Sequence, residues 1–399
     1  MKKVIALVAI LGFAGSIASA QVGNFKYEGD FKFHKYYNSN TTDANSDAGD
    51  KKEDQDYQAN IGISFDAGQD ANVQINLIKN AGANDVNFGQ AYVGINSVLK
   101  LDHKFGRMFY GKAGDIVAYY GPDAWYVSDM PYTALEGWLG EWKNEKLNVN
   151  AVIGKEVDAK TAKATDVNIH GLTASYQLHE LLNPTAYIYK QVTISAAGTA
   201  DDTLNVYGVK GNGKFMGFDY YGEYAMSRGA KSDTVDYEGS ALLLGASYNL
   251  DLLGKWTFSG EYGMGSGDEA SAGKDEDFTA IASNYRPGII WGAGTNSLSD
   301  LTTWNVGAMW NLEKYNKLTL SGKLLNFSPT EEPATYDTYG TELDLCAKWQ
   351  HTENVSFKGY YAMFMADKDY MDIVNDATND DDGTDDAAYQ FGVLVNVKF

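Results

Sequence analysis

Along most of the chain, apolar and polar residues alternate singly in runs of about ten, and the runs are separated by turn chemistry. In 70–79, Ala71, Val73, Ile75 and Leu77 alternate with Asn72, Gln74 and Asn76. In 301–312, Trp304, Val306, Ala308, Trp310 and Leu312 alternate with Thr303, Asn305, Gly307 and Asn311. In 353–365, Val355, Phe357, Tyr361, Met363 and Met365 share one face. The last run, Tyr389 to Phe399, places apolar or aromatic residues at every odd position. A period of two sends successive side chains to opposite faces of a strand.

A tilted strand of that length crosses the hydrocarbon core of a bilayer. One face suits lipid and the other a wet interior. Unpaired backbone groups have no partner in hydrocarbon, so such strands must close into a barrel. The expected fold is therefore all-β: a transmembrane, antiparallel, up-and-down barrel. Eighteen strands are predicted, over 23–37, 56–67, 70–79, 85–97, 100–109, 131–143, 146–155, 165–179, 183–195, 202–211, 214–228, 237–250, 254–266, 301–312, 316–327, 338–350, 353–365 and 388–399. Alternation is weakest in 131–143 and 183–195.

Every second link is short: 68–69, 98–99, 144–145, 180–182, 212–213, 251–253, 313–315 and 351–352. Those between are generally longer, reaching 110–130, 267–300 and 366–387. Short periplasmic turns and long extracellular loops are the asymmetry of outer-membrane barrels, and an even strand count puts both termini in the periplasm. A soluble β-sandwich has no reason to alternate its loop lengths this way.

Composition sharpens this picture. Of 399 residues, 28 are Tyr, 17 Phe, 8 Trp and 42 Gly, against 6 Pro and 1 Cys. Aromatic and Gly enrichment fits interfacial girdles on a barrel, and the single Cys346 rules out a disulfide framework. The net charge of −21 argues against nucleic acid as a partner. At the N-terminus, Lys2 and Lys3, the apolar run Val4 to Phe13 and Ala18-Ser19-Ala20 read as a cleaved secretory signal over 1–20. A single barrel domain is expected over 21–399, with no room for an N-terminal plug. The acidic residues gather in the long loops: Asp43, Asp47, Asp50, Glu53 and Asp54, then Asp268 to Asp277, then Asp380 to Asp386. Loose Ca²⁺ or Mg²⁺ binding there is one reading and a solubilising fringe the other, because neither loop completes a calcium-binding pattern. No cofactor is expected.

A barrel of this size leaves an aqueous channel unless loops enter it. Selectivity would come from inward side chains and narrowing loops. Alternation nominates Lys26, Glu28, Lys32, Lys100, Asp102, Lys104, Asp219, Tyr221, Glu223, Glu261, Lys323, Glu342, Asp344, Lys348 and Lys358, and Asp115 of the 110–130 loop joins them as a candidate. Their signs are mixed, and each is also readable as an ordinary wetted wall residue. Tyr119, Tyr120, Trp125 and Tyr126 crowd the 110–130 loop, and Tyr132 follows just after it. They fit either a sugar-binding surface or an interfacial girdle.

The scattered His residues and the lack of G-x-S-x-G, H-E-x-x-H or a P-loop argue against an enzyme. Two readings remain. One is a porin passing small hydrophilic solutes, sugars or oligosaccharides among them. The other is a structural or adhesive surface protein whose pore is incidental.

Gly106-Arg107 followed by Gly114-Asp115, then Ser266-Gly267-Asp268 and Asp277-Phe278, resemble signatures of the alginate-export family of outer-membrane porins, over roughly 90–300. That resemblance implies an 18-stranded conduit. The family's exporter has a strongly basic lumen, whereas this one is mixed, so the implied fold and transport role carry over and the polysaccharide substrate does not. Arg107 is the expected constriction cation. Resemblance to outer-membrane porins also implies that the terminal Phe399 is read by the barrel-assembly machinery. Outer-membrane lipid and lipopolysaccharide are the expected surroundings, and both monomers and homotrimers are compatible.

Overall fold

The computed structural model describes residues 22–40, 51–79, 85–122, 133–157, 165–195, 200–269, 271–291, 297–312, 317–331, 336–370 and 387–399. The proposed signal over 1–20, the loop acids Asp43, Asp47 and Asp50, the run Asp380 to Asp386, and Trp125, Tyr126 and Tyr132 lie outside them.

Among the described residues, eighteen long strands form one closed sheet. They are β1 (Val22–Ser39), β2 (Lys52–Ala67), β3 (Ala71–Lys79), β4 (Val86–Val98), β5 (Leu101–Met108) and β6 (Leu135–Lys143). Then come β7 (Leu147–Val157), β8 (Val167–Tyr176), β9 (Asn183–Thr193), β10 (Asp202–Phe215), β11 (Phe218–Ala230) and β12 (Ser240–Asp251). The last are β13 (Lys255–Gly265), β14 (Leu301–Leu312), β15 (Leu318–Ser328), β16 (Gly340–Gln350), β17 (Val355–Ala366) and β18 (Ala388–Lys398). Each pairs antiparallel with its chain neighbours, and β18 pairs with β1 from Lys398–Asp30 to Tyr389–Ser39. Closure leaves no edge strand, so every ladder group is satisfied away from water. No helix among the described residues is long and apolar enough to cross a membrane, which says nothing against strands.

The predicted staves are found, with shifted ends. Strand 131–143 begins only at Leu135, and 165–179 is confined to Val167–Tyr176, which widens its turn to 177–182. Lys100 is not on a strand face; it is in the β4–β5 turn, where Leu99 and Lys100 are both left-handed, with φ 55° and 65°. Two left-handed residues give a primed turn, whose twist matches that of the strands.

The alternation holds through the terminal strand. Phe391 and Val393 face outward, 50% and 53% exposed, while Gln390 and Leu394 are buried inside. Trp256 and Trp310 stack outside at 4.9 Å and donate to the Leu252 and Leu253 carbonyls in the turn below. A ring with one polar handle suits an interface.

At the seam, Phe399 N–H donates to the Gly29 carbonyl at 3.0 Å, and Gly29 N–H donates to the Phe399 carbonyl at 2.9 Å. A Cβ on Gly29 would lie 2.6 Å from the Phe399 ring, so only glycine lets the ring close over β1. Deleting Phe399 is expected to lower the yield of folded barrel in the envelope, measured by heat-modifiable gel migration. Barrels that do insert should keep wild-type conductance, because the residue is at the outer seam.

Candidate permeation site

Inward positions on one side of the barrel are apolar, contrary to what a simple wet lumen requires. Val152, Ile169, Tyr187, Tyr189, Leu204, Val206, Ala225, Leu243, Leu325 and Phe327 are buried on the inner face. They are covered by two segments, 109–122 and 271–291, that fold into the barrel. Ile116, Val117, Ala118 and Tyr120 of the first and Phe278, Ile281 and Tyr285 of the second pack on that wall.

The first segment is a small hairpin in which Tyr110–Gly111 pairs with Tyr119–Tyr120. Asp115 shapes its tip by accepting from Val117 N and Ala118 N at 2.9 and 3.0 Å. Wall contacts fix it: Tyr110 hydroxyl to Tyr189 hydroxyl at 2.9 Å, Tyr120 hydroxyl donating to Glu156 at 3.2 Å, and Asp115 paired with Lys210 at 2.5 Å. Burial pushes the Tyr110 phenol up to about 12 and Tyr120 well above its ordinary range, so both stay protonated.

The second segment hydrogen-bonds to the first. Tyr119 N–H donates to the Ala282 carbonyl and Ala282 N–H to the Val117 carbonyl, both at 2.8 Å. Asn284 clasps the hairpin tip through its own N–H to the Asp115 carbonyl at 2.9 Å and through Gly114 N–H to its Oδ1 at 3.0 Å. From there the chain runs on to β13, β15 and β16. Tyr285 donates to Glu261 of β13 at 3.1 Å; burial, then the Glu261 charge, raises its phenol well above the ordinary range and keeps it a donor. Lys323 of β15 donates to the Pro287 carbonyl at 3.0 Å. Glu342 of β16, fully buried, accepts from Ile289, Ile290 and Trp291 N–H at 2.6 to 2.8 Å. The Trp291 ring then stacks on Tyr339, Phe327 and Phe364. Together the segments make a partition inside the bore, held at β7, β9 and β10 and again at β13, β15 and β16.

Beside the partition lies a cavity of about 730 Å³. Its walls include Lys112, Asp115, Lys210, Lys214, Asp219, Tyr220, Tyr221, Glu223 and Glu261. Lys210 is the pivot: besides Asp115, its Nζ is 3.9 Å from Glu223 and 5.4 Å from the centre of the Tyr187 ring. Tyr187 donates to Glu223 at 2.6 Å, and Tyr221 donates to Glu261. Asp219 pairs with Lys214 at 2.7 Å. Acceptors, cationic donors and phenol rings therefore alternate around one water-accessible space.

The structure thus brings Asp115, Asp219, Glu223 and Glu261 to one cavity and ties Lys323 to the partition. Asp115 is on the inserted hairpin, not on the wall. The other expected inward residues are spread elsewhere. Lys104 lies over the Tyr92 ring at 5.2 Å, and Lys358 is 6.0 Å from that of Tyr360. Lys348 lines a separate hollow with Asn311, Lys317, Thr319 and Gln350.

Arg107 is a correction. In β5 the buried Met108 faces inward, opposite Leu135, so Arg107 must face outward with Phe105. Its guanidinium donates to Glu136 at 2.9 Å and to the Phe88 carbonyl at 3.0 Å on the outer surface. Arg107→Ala is therefore expected to leave conductance and ion selectivity in planar bilayers unchanged; a shift in either would place the side chain inside. Lys210 was not among the sequence candidates, although its inward phase in β10, with Leu204 and Val206, could have marked it.

A family model described as Gram-negative porin matches residues 6–323. Among solved structures, OpdQ of Pseudomonas aeruginosa is similar with a TM-score of 0.61 at 11% identity, covering 94% of this chain and 98% of that one. OccK8 (OprE) of the same organism gives 0.61 at 10% identity, over 94% and 98% of the two chains. OprD from Pseudomonas aeruginosa gives 0.56 at 15% identity, over 96% and 95%. At these identities the likeness is one of fold. No curated protein matches the chain by sequence. The expected likeness to alginate-export porins finds no support in the family match or in these structures.

Proposed function

Since this chain belongs to the Gram-negative porin family, and is an outer-membrane channel for the diffusion of small solutes, we propose that the solutes it favours are uncharged polyhydroxylated molecules of the size of simple sugars. The observation that carries this reading is the cavity beside the partition. Tyr221 offers ring surface there, between the carboxylates of Asp219, Glu223 and Glu261 and the ammonium groups of Lys210 and Lys214. Sugar hydroxyls both donate and accept, and the apolar face of a pyranose stacks on aromatic rings. Mixed charge in the wall favours neither ion sign strongly, so a neutral polar solute pays the smallest desolvation penalty.

A partition anchored on the barrel wall at several strands narrows the bore, so oligosaccharides are expected to pass far more slowly than single sugars. Liposome swelling with a graded series from pentoses to tetrasaccharides tests this. Swelling that is rapid for pentoses and hexoses and falls steeply beyond disaccharides is expected. Equal rates across the series would overturn the narrowed bore, and no swelling with pentoses would overturn the sugar reading.

A further inference from the structure

The outward face of β8–β11 breaks its apolar pattern at one rung. His170, Lys190, Asn205 and Arg228 are register partners in turn across these four adjacent strands. Their chain neighbours Ile169, Tyr189, Leu204, Val206 and Ser227 are buried inside, which turns these four outward. His170, Lys190 and Arg228 are exposed. Each of the four residues lies within three residues of the long-loop end of its strand. One step toward mid-membrane, the outward positions are Leu172, Ile188, Tyr207 and Met226.

Cations on a lipid-facing wall are costly at mid-membrane and nearly without cost at the interface. This rung therefore marks headgroup level. It holds no carboxylate, in a chain whose net charge is −21. The Lys190 ammonium makes no hydrogen bond or ion pair among the described residues. Arg228 uses only Nη1 internally, donating to the Ser227 and Gly239 carbonyls at 2.7 and 3.1 Å. Those bonds fix the guanidinium and leave Nε and Nη2 without a partner among the described residues. Glu238, whose charge reaches Arg228, is itself held by Lys274 at 2.8 Å.

From this rung we infer a binding site for the phosphate of an outer-leaflet glycolipid of the lipid A type. Lys190 Nζ and the spare guanidinium N–H groups of Arg228 donate to the phosphate oxygens, and Asn205 between them, whose Nδ2 gives one N–H to the Arg228 carbonyl at 3.4 Å, adds its second. The acyl chains lie along Leu172, Ile188, Tyr207 and Tyr224. The inference rests on the outer-membrane channel reading, with the long loops facing outward.

The test uses full-length barrel in detergent, exposed to bisphosphorylated lipid A, its dephosphorylated form and phosphatidylglycerol, with bound lipid counted by native mass spectrometry. Wild type is expected to retain the bisphosphorylated form best. Lys190→Glu with Arg228→Glu should lower its retention by roughly tenfold or more, since each interfacial cation adds appreciably to anionic-lipid affinity. Lys190→Gln with Arg228→Gln should lower it by less, and decides the matter if the charge-reversed barrel fails to fold. Sugar swelling by all three proteins should be equal, so a failed channel reading is separable from a failed lipid site. Unchanged lipid A retention in the variants would overturn the site. So would equal retention of phosphatidylglycerol, or displacement of lipid A by millimolar inorganic phosphate.

Discussion

Glu342→Leu is expected to raise single-channel conductance several-fold and to admit larger sugars in liposome swelling. The carboxylate is wholly buried, yet it belongs to the wall and its three partners belong to the partition. Gly288 makes the approach possible: a Cβ there would lie 2.6 Å from Glu342 Oε2. Hydrogen bonds to a charged group contribute about 1.5–3 kcal/mol each, and an abandoned buried N–H costs a further ~1–3 kcal/mol. Leucine removes both acceptor oxygens, and with them all three hydrogen bonds, at once. The second segment then has no favourable docked state on β16, and the Trp291 stack must leave with it. Strand β16 keeps its full ladders to β15 and β17, so the barrel itself should still form. Glu342→Gln keeps the volume but points an NH₂ at the donors, and should open the bore partway. Unchanged conductance in both variants, with folded barrels shown by heat-modifiable migration, would falsify the partition as the element that sets the bore.

The second large effect is expected at Lys210. Lys210→Glu should shift the reversal potential in a KCl gradient toward clear cation preference, with conductance rising as the hairpin leaves the wall. In the native arrangement one ammonium serves Asp115 at 2.5 Å and Glu223 at 3.9 Å. Reversal places three carboxylates within the same few ångströms, and like charges so close repel by more than their wall contacts return. The Asp115 tip is then released, although the Tyr110–Tyr189 and Tyr120–Glu156 contacts still hold the base of the hairpin. Carboxylates already outnumber ammonium groups around the cavity, with Asp115, Asp219, Glu223 and Glu261 against Lys112, Lys210 and Lys214, and the substitution deepens that negative excess. Lys210→Gln removes the cation without adding repulsion and should give a smaller shift of the same sign. A reversal potential equal to wild type in both variants would mean that permeating ions do not pass this cavity.

The two inserted segments explain why inward residues were only partly legible in the sequence. Alternation assigns a face, but labelling one face wet assumes that water fills the lumen. That assumption holds where Lys32, Lys104, Lys348 and Lys358 alternate with apolar neighbours. It fails from β7 to β12, where Val152, Ile169, Tyr189, Leu204 and Leu243 face inward because a folded segment covers them. In Phe105-Gly106-Arg107-Met108, polarity alone points the arginine inward. The inward position belongs to Met108, because it has the buried Leu135 to pack against and Arg107 has Glu136 outside.

By itself, the sequence determined the closed all-β barrel, its eighteen staves, the alternation of short and long links, and the outward face of most strands. The physical reason is that a bilayer imposes the same local demand on every stave: paired backbone, apolar outside, about ten residues of reach. Only the tertiary structure decided which loops enter the bore and what holds them there. Glu342 meets amides more than fifty positions earlier in the chain, and Lys210 meets a carboxylate 95 positions away. Periodicity carries no information about contacts of that range, because they depend on where a loop comes to rest against a wall already built.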